Sequence, residues 1–310
     1  MSEHPGNYSA PWWLPGGHLQ TVYAALAPAP RIPWTRERWE TPDGDFIDLD
    51  WAGKEKAGPL LAIFHGLEGS SASPYARAIT ARALESGWRC VVPHFRGCSG
   101  ELNRLPRAYH SGDSAEIGWI LERLKADYAV GISLGGNALL KHLGEAGDKA
   151  QPRRAVAISA PLDLAAAGGA LDQGLSRLLY TRIFLGTLRR KTFAKLDKGL
   201  VTLDRARVAR AGTFWEFDDA VTAPLHGFAG ADDYWARSSA GPWLAKIRTP
   251  TLVINARNDP FLPEAALTAL LSRDIPPAVT LEFPAAGGHA GFPGRGDWLA
   301  RRVLSFLSSA

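Results

Sequence analysis

Apolar positions along the chain fall into short unbroken runs, and stripes of helical period follow them at intervals. Leu60-Leu61-Ala62-Ile63-Phe64 is such a run, the pattern of a strand covered on both faces. Behind it Ser73 suits a helix N-cap and Pro74 the first helical position. Ile79 and Ala83 share a face, and Gly87 ends the helix. The alternation repeats with strand 88–92 and a helix over 114–126, whose Ile117, Ile120, Leu121 and Leu124 keep the i, i+3, i+4, i+7 spacing. Strand 128–132, helix 134–146 ending at Gly147, and strand 155–158 come next. Strands 251–254 and 279–283 precede helices over 264–273 and 297–307. Upstream, runs 36–40 and 46–51 flank a Pro42-Asp43-Gly44 turn, which predicts a hairpin. Repeated strand–helix units of this kind require a mostly parallel sheet with helices on both faces. The fold class is α/β, with eight strands.

Two segments break the rhythm. Residues 1–34 are rich in Pro, Gly and Trp, lack a helical or alternating period, and read as an irregular N-terminal arm held by its aromatics. Residues about 162–245 contain a helical stripe (Leu178, Leu179, Ile183, Phe184, Leu188) without a following strand. An insertion between two strands of such a sheet sits over the strand ends, where ligands bind, so this segment is expected to be a cap. The organisation expected is a single domain over 1–310 carrying that cap.

Composition narrows the class. With 310 residues, 46% apolar and 21% charged, the chain is globular in type. It has no apolar window of the roughly 18 residues that a spanning helix needs. Its start, Met1 to Gly6, lacks the order of a signal peptide. Two cysteines, Cys90 and Cys98, are too few for a disulfide framework. The expectation is a cytoplasmic protein of a reducing compartment. The net charge of +4 is concentrated between Arg177 and Arg210, a segment of +8 that leaves the remainder at −4. Without interleaved stacking aromatics or a known motif, that segment does not indicate nucleic acid. It reads as a solvated helix face, with a weak attraction to an anionic substrate or membrane surface as the functional alternative. Oligomeric state is not legible.

Gly131-Ile132-Ser133-Leu134-Gly135 matches G-x-S-x-G at the junction of a predicted strand and helix. That context is what the motif needs, because a sharp turn there lifts the serine hydroxyl above the sheet. A serine requires a base, and a histidine titrates near working pH. Of eight histidines, His289 lies in a Gly-rich loop after the last strand, as the chain order Ser, acid, His demands. Asp259 and Asp163 both follow strand ends between the serine and the histidine. Asp259 is preferred because its loop immediately precedes the helix and strand that lead to His289, whereas Asp163 suits a cap for the turn into the insertion. Backbone N–H groups of Leu134 and of Leu67, in His65-Gly66-Leu67-Glu68-Gly69-Ser70, are the candidate oxyanion donors. His65 is read as holding that loop and Cys98 as a packed loop thiol. His94, Cys98 and His110 lack zinc spacing, and no phosphate-binding loop motif is present. The chemistry requires neither metal nor cofactor.

With these elements in place the chain resembles the α/β-hydrolases, and more narrowly their YheT-like branch, related to ABHD-type esterases and yeast medium-chain ethyl ester synthases. The resemblance rests on residues 11–21, 65–69 and 95–101, on Tyr109-His110-Ser111-Gly112-Asp113, on Phe217-Asp218-Asp219-Ala220, and on Asn258-Asp259-Pro260-Phe261. It implies an α/β-hydrolase fold, a Ser133/Asp259/His289 triad, and hydrolysis or alcohol transfer of short- to medium-chain acyl esters. Vertebrate members carry an N-terminal membrane anchor that is not visible here, so their membrane-lipid substrates are not carried over. The readings that follow are a serine esterase acting on a small acyl ester, an alcohol acyltransferase using the same acyl-enzyme, and a non-catalytic scaffold binding a lipid or partner.

Overall fold

A computed structural model describes residues 8–294 and 297–309. The first seven residues of the arm, with His4 and the start that was read for a signal peptide, lie outside the described residues, as do residues 295, 296 and 310. The hairpin strands β1 (Thr35–Glu40) and β2 (Phe46–Ala52) are antiparallel. The sheet continues with β3 (Leu60–Phe64), β4 (Arg89–Pro93), β5 (Tyr128–Ile132), β6 (Arg154–Ile158), β7 (Thr251–Ile254) and β8 (Val279–Glu282). Strand order is β1-β2-β4-β3-β5-β6-β7-β8. β2 pairs antiparallel with β4, and every later neighbour is parallel. The fold is the eight-stranded, mostly parallel sheet of an α/β-hydrolase. The chain steps from β3 out to β4 and returns to the other side of β3 at β5, so the order reverses there. The carboxyl ends of β3 and β5 border that crevice, the usual ligand position in open α/β sheets.

Helix α1 (Gly17–Leu26) precedes the sheet, and α2 (Pro74–Glu85), α3 (Ser114–Leu124) and α4 (Leu134–Ala146) alternate with its strands. The insertion between β6 and β7 contains α5 (Leu164–Leu171), α6 (Gly174–Ser176), α7 (Arg182–Asp197), α8 (Arg205–Arg210), α9 (Phe214–Phe217), α10 (Ala223–His226) and α11 (Ala231–Ser238). Single π-turns join α6 to α7 (Arg177–Thr181) and α9 to α10 (Asp218–Thr222). α12 (Glu264–Leu271) and α13 (Trp298–Ser308) follow β7 and β8.

The unbroken apolar run of β3 is explained by its two faces. Leu61 and Ile63 join Ile79 and Ala83 of α2 and Val303 and Leu307 of α13 in one core. Ala62 and Phe64 join Ile117 and Leu121 of α3 and Leu139 of α4 in the other. The insertion has its own small core around Leu185, Val208, Phe217 and Trp235. Among the described residues, no helix is long and apolar enough to cross a membrane.

The arm is not irregular throughout, because residues 17–26 form α1. Its buried residues are Gln20 and Thr21, so the inward face is polar and leaves no apolar stripe pointing to a core. Ser73 stands at the N-cap of α2, but its hydroxyl accepts from the Ser70 N–H (3.1 Å) rather than from the helix.

Candidate active site

The nucleophile position is set by local sterics. Ser133 lies between β5 and α4 with φ 53° and ψ −120°, a left-handed conformation for a residue with a Cβ. Such a backbone costs about 1–3 kcal/mol and persists only when its surroundings fix it. Here the Ser133 N–H donates to the Ile158 carbonyl (2.8 Å), and the Ser133 carbonyl accepts from the Asn137 N–H (3.0 Å). A Cβ on Gly135 would come within 2.5 Å of the Phe64 and His65 carbonyl oxygens, and one on Gly131 within 2.5 Å of the Gly135 carbonyl. Both glycines are therefore dictated by packing of the turn against β3 and α4.

The structure brings Ser133, His289 and Asp259 together. Ser133 Oγ is 2.9 Å from His289 Nε2, and His289 Nδ1 is 2.8 Å from Asp259 Oδ2. The other carboxylate oxygen of Asp259 accepts from the Phe261 N–H (2.8 Å), so Asp259 is buried and oriented from both sides. Phe261 stacks on the imidazole with centroids 3.9 Å apart. Asp163 does not reach the site: it caps α5, accepting from the Ala166 N–H (3.0 Å).

The histidine loop is held by the N-terminal helix, which sequence reasoning had left without a role. Gln20 Oε1 accepts from the Gly287 N–H and from Asn258 Nδ2, both at 2.9 Å. Thr21 Oγ1 accepts from the His289 N–H (2.8 Å). Asn258 Oδ1 takes the Gly288 N–H (3.0 Å), and Ser159 Oγ takes that of Ala290 (2.9 Å). Four successive N–H groups of the loop thus end on side-chain oxygens, in keeping with the rule that buried backbone donors find partners. The matching motif over residues 11–21 was the available signal.

The loop after β3 accounts for its donors in a similar way, with one exception. The Gly66 N–H donates to Tyr75 Oη (3.0 Å), that of Glu68 to Tyr109 Oη (2.8 Å), and that of Gly69 to the Gly66 carbonyl (3.0 Å). The Leu67 N–H has no acceptor among the described residues, nor does that of Leu134 at the start of α4. His65 lies away from Ser133 in bonding terms. Its Nδ1–H donates to the Gly66 carbonyl (2.7 Å) and its Nε2 accepts from the Phe95 N–H (3.1 Å). Burial lowers its pKa to about 3, so the ring is a neutral brace.

The basic stripe is not a wholly solvated face. Lys191 of α7 turns inward and donates to Glu68 Oε1 (2.7 Å), which also accepts from Tyr109 Oη (2.8 Å). Lys195 is buried, and its ammonium donates to the carbonyls of Leu105, Pro106 and Arg107 at 2.9–3.2 Å. These two cations tie the insertion to the loops of the sheet domain. Cys98 packs 3.5 Å from Lys191 Nζ, and burial pushes its thiol up to about 11, a protonated and unreactive state. Among the described residues, no group of three His, Cys, Asp or Glu side chains is placed to hold a metal ion.

Ser133 and His289 open into a cavity of about 1140 Å³, just above the span usual for small-molecule sites. Its walls come from α1 (Val22, Leu26) and from the insertion (Leu164, Phe184, Phe214, Trp235), so it is largely apolar.

Residues 59–294 match the family described as alpha/beta hydrolase fold. YheT of Escherichia coli, an esterase by name, is 38% identical over 94% of this chain and 90% of its own. Human phospholipase ABHD3 is 27% identical over 92% of this chain and 73% of its own. Among solved structures, an esterase of Pyrococcus furiosus superposes with a TM-score of 0.57 at 18% identity, covering 89% of this chain and 91% of the other. The family match covers three quarters of the chain and the likeness to YheT nearly all of it, so this chain belongs to the α/β-hydrolase fold family, in the branch of YheT.

Proposed function

We propose that this protein is a serine hydrolase of carboxylic esters that works through an acyl-enzyme. The observation that carries this reading is the continuous hydrogen-bonded line Ser133 Oγ–His289–Asp259 beside two N–H groups with no acceptor among the described residues. Ser133 Oγ attacks the acyl carbon while His289 Nε2 takes its proton. Asp259 holds the proton on Nδ1 and stabilises the imidazolium that forms. The N–H groups of Leu67 and Leu134 receive the oxyanion. His289 then protonates the departing alcohol, and a water activated by the same nitrogen releases the acid. No step calls for a metal or cofactor.

The apolar walls favour an aliphatic acyl group, and the cavity volume favours medium over the shortest chains within the short-to-medium range. The measurement is hydrolysis of p-nitrophenyl esters from acetate to palmitate, with Ser133→Ala beside the wild type. A rise from acetate to a medium-chain optimum is expected, with a loss of about 10⁴-fold or more in kcat for the variant. Ester turnover that survives in Ser133→Ala would refute the mechanism. Failure of folded wild type to take up a fluorophosphonate at Ser133 would instead support a non-catalytic scaffold. Ester formation in the presence of added ethanol would reveal alcohol transfer from the same intermediate.

A further inference from the structure

Helix α1 is amphipathic in the reverse sense. Gln20 and Thr21 face inward, whereas Leu19, Val22, Tyr23 and Leu26, at i, i+3, i+4 and i+7, form one exposed stripe. Leu26 is 79% exposed, and Trp12, just upstream, is 91% exposed. A second stripe runs along the insertion through Leu175, Leu178, Leu179 and Ile183, spaced for one helical face and all exposed. Twelve large apolar residues are exposed among the described residues, and ten of them lie in segments 12–26 and 175–183. Scattered single apolar residues are ordinary on a surface, but a concentration of this kind marks an interaction site.

The two stripes are neighbours. His18 of α1 stacks on Tyr180 with centroids 5.8 Å apart, and its Nδ1 lies 3.1 Å from the Tyr180 hydroxyl. Val22 and Leu26 on one side, and Leu179 and Ile183 on the other, also line the cavity that leads to Ser133. The apolar surface therefore rims the mouth of that cavity.

Charge identifies what would cover it. Residues 8–34 and 173–196 contain no Asp or Glu, and the second segment carries six Lys or Arg. Arg177, Arg182 and Arg190 among them are exposed. Glu216 and Asp172 lie near Arg177, but an apolar stripe with tryptophan at its edge, flanked by arginine and with no carboxylate in its own two segments, is the composition of a surface that lies in the headgroup region of an anionic lipid layer. We propose that α1 and residues 175–183 together form a docking face for an anionic lipid surface, which sets the cavity mouth against the layer. The docking itself uses no residue of the Ser133–His289–Asp259 line.

The experiment is co-sedimentation of the full chain with vesicles of phosphatidylcholine alone or with one quarter phosphatidylglycerol. Binding to the anionic vesicles is expected, weakening as salt is raised and weaker with phosphatidylcholine alone. Trp12→Ser, Leu19→Ser and Leu178→Ser lie outside the cavity walls. Each is expected to lower vesicle partitioning about tenfold while turnover of p-nitrophenyl acetate stays unchanged. Arg182→Gln combined with Arg190→Gln should remove most of the preference for phosphatidylglycerol. Ser133→Ala should bind as the wild type does, which separates docking from ester cleavage. The proposal is overturned if the wild type fails to sediment with anionic vesicles. It is equally overturned if sedimentation velocity shows a dimer that Leu178→Ser dissociates while vesicle binding is absent, because a second copy would then cover the face.

Discussion

Gln20 holds three partners at once: the Gly287 N–H, the Asn258 amide and, through its own Nε2, the Leu14 carbonyl (2.8 Å). Removing its oxygen leaves the buried Gly287 N–H of the His289 loop without an acceptor, at about 1–3 kcal/mol, and frees the half-buried Asn258 amide of the Asp259 loop. We expect Gln20→Ala to lower kcat about tenfold to a hundredfold with little change in KM, because the base is misplaced rather than the substrate site lost. Gln20→Glu keeps an acceptor for the Gly287 N–H and should recover part of the rate. Equal kcat for Gln20→Ala and wild type, with both folded, would show that the loop is fixed without α1. At this scale the sequence was legible for the three side chains that the structure joins by hydrogen bonds and for the His65 brace, but not for the part played by Gln20. Ser133, His289 and Asp259 follow from motif and chain order, whereas a buried glutamine facing a loop has no periodic signature.

Between elements, Lys191 of α7 and Glu68 of the loop after β3 form a polar link from the insertion to the candidate oxyanion donor at Leu67, whose own side chain packs on the insertion core. The pair is only partly screened from water, so its worth is modest. Lys191→Met should lower kcat about two- to fivefold on a short ester, and high salt should narrow the gap to wild type. No change in rate would show that Tyr109 alone fixes Glu68.

Asp218, in the π-turn before α10, bonds to Thr222 Oγ1 (2.6 Å) and Trp235 Nε1 (2.8 Å). Burial raises its pKa from 3.8 to about 7. In the unfolded chain this carboxyl ionises near 3.8, so between 3.8 and about 7 folding requires it to hold a proton that the unfolded chain has released. Its contribution is present at low pH and lost as pH rises through that window. Thermal melts of Asp218→Asn against wild type at successive pH values should therefore diverge in the variant's favour between about pH 4 and 7 and run parallel above it. Melts that stay parallel across the window would show that Asp218 is ionised in the folded protein. The helices of the insertion were visible in the sequence only as one stripe. Their direction was not, since Leu178 and Ile183 point outward while Phe184 and Leu188 of the same run pack inward.

For the molecule as a whole, the strand list and hairpin were readable because buried parallel strands leave unbroken apolar runs, and each helix after them begins or ends on a turn residue. The strand order, with β4 placed between β2 and β3, was not among the features read from the pattern. What stayed hidden depends on contacts between distant segments. The inward lysines look like any other charges in a basic stripe, and α1 presents its apolar side to solvent, opposite to the pattern by which helices are recognised.

One of those distant contacts bears on the life of the chain. Thr21 and the His289 N–H it accepts are 268 positions apart, so α1 and the histidine loop must meet before the site takes this form. During synthesis α1 emerges well before the histidine loop, with β1 to β8 between them. Contacts of such separation are the slow ones to form. The loop that carries His289 is therefore the last part of the site to be synthesised. A chain started at residue 35 should keep a circular dichroism spectrum close to the parent and show almost no ester turnover. Parent-like turnover would mean that the closing loop finds its place unaided.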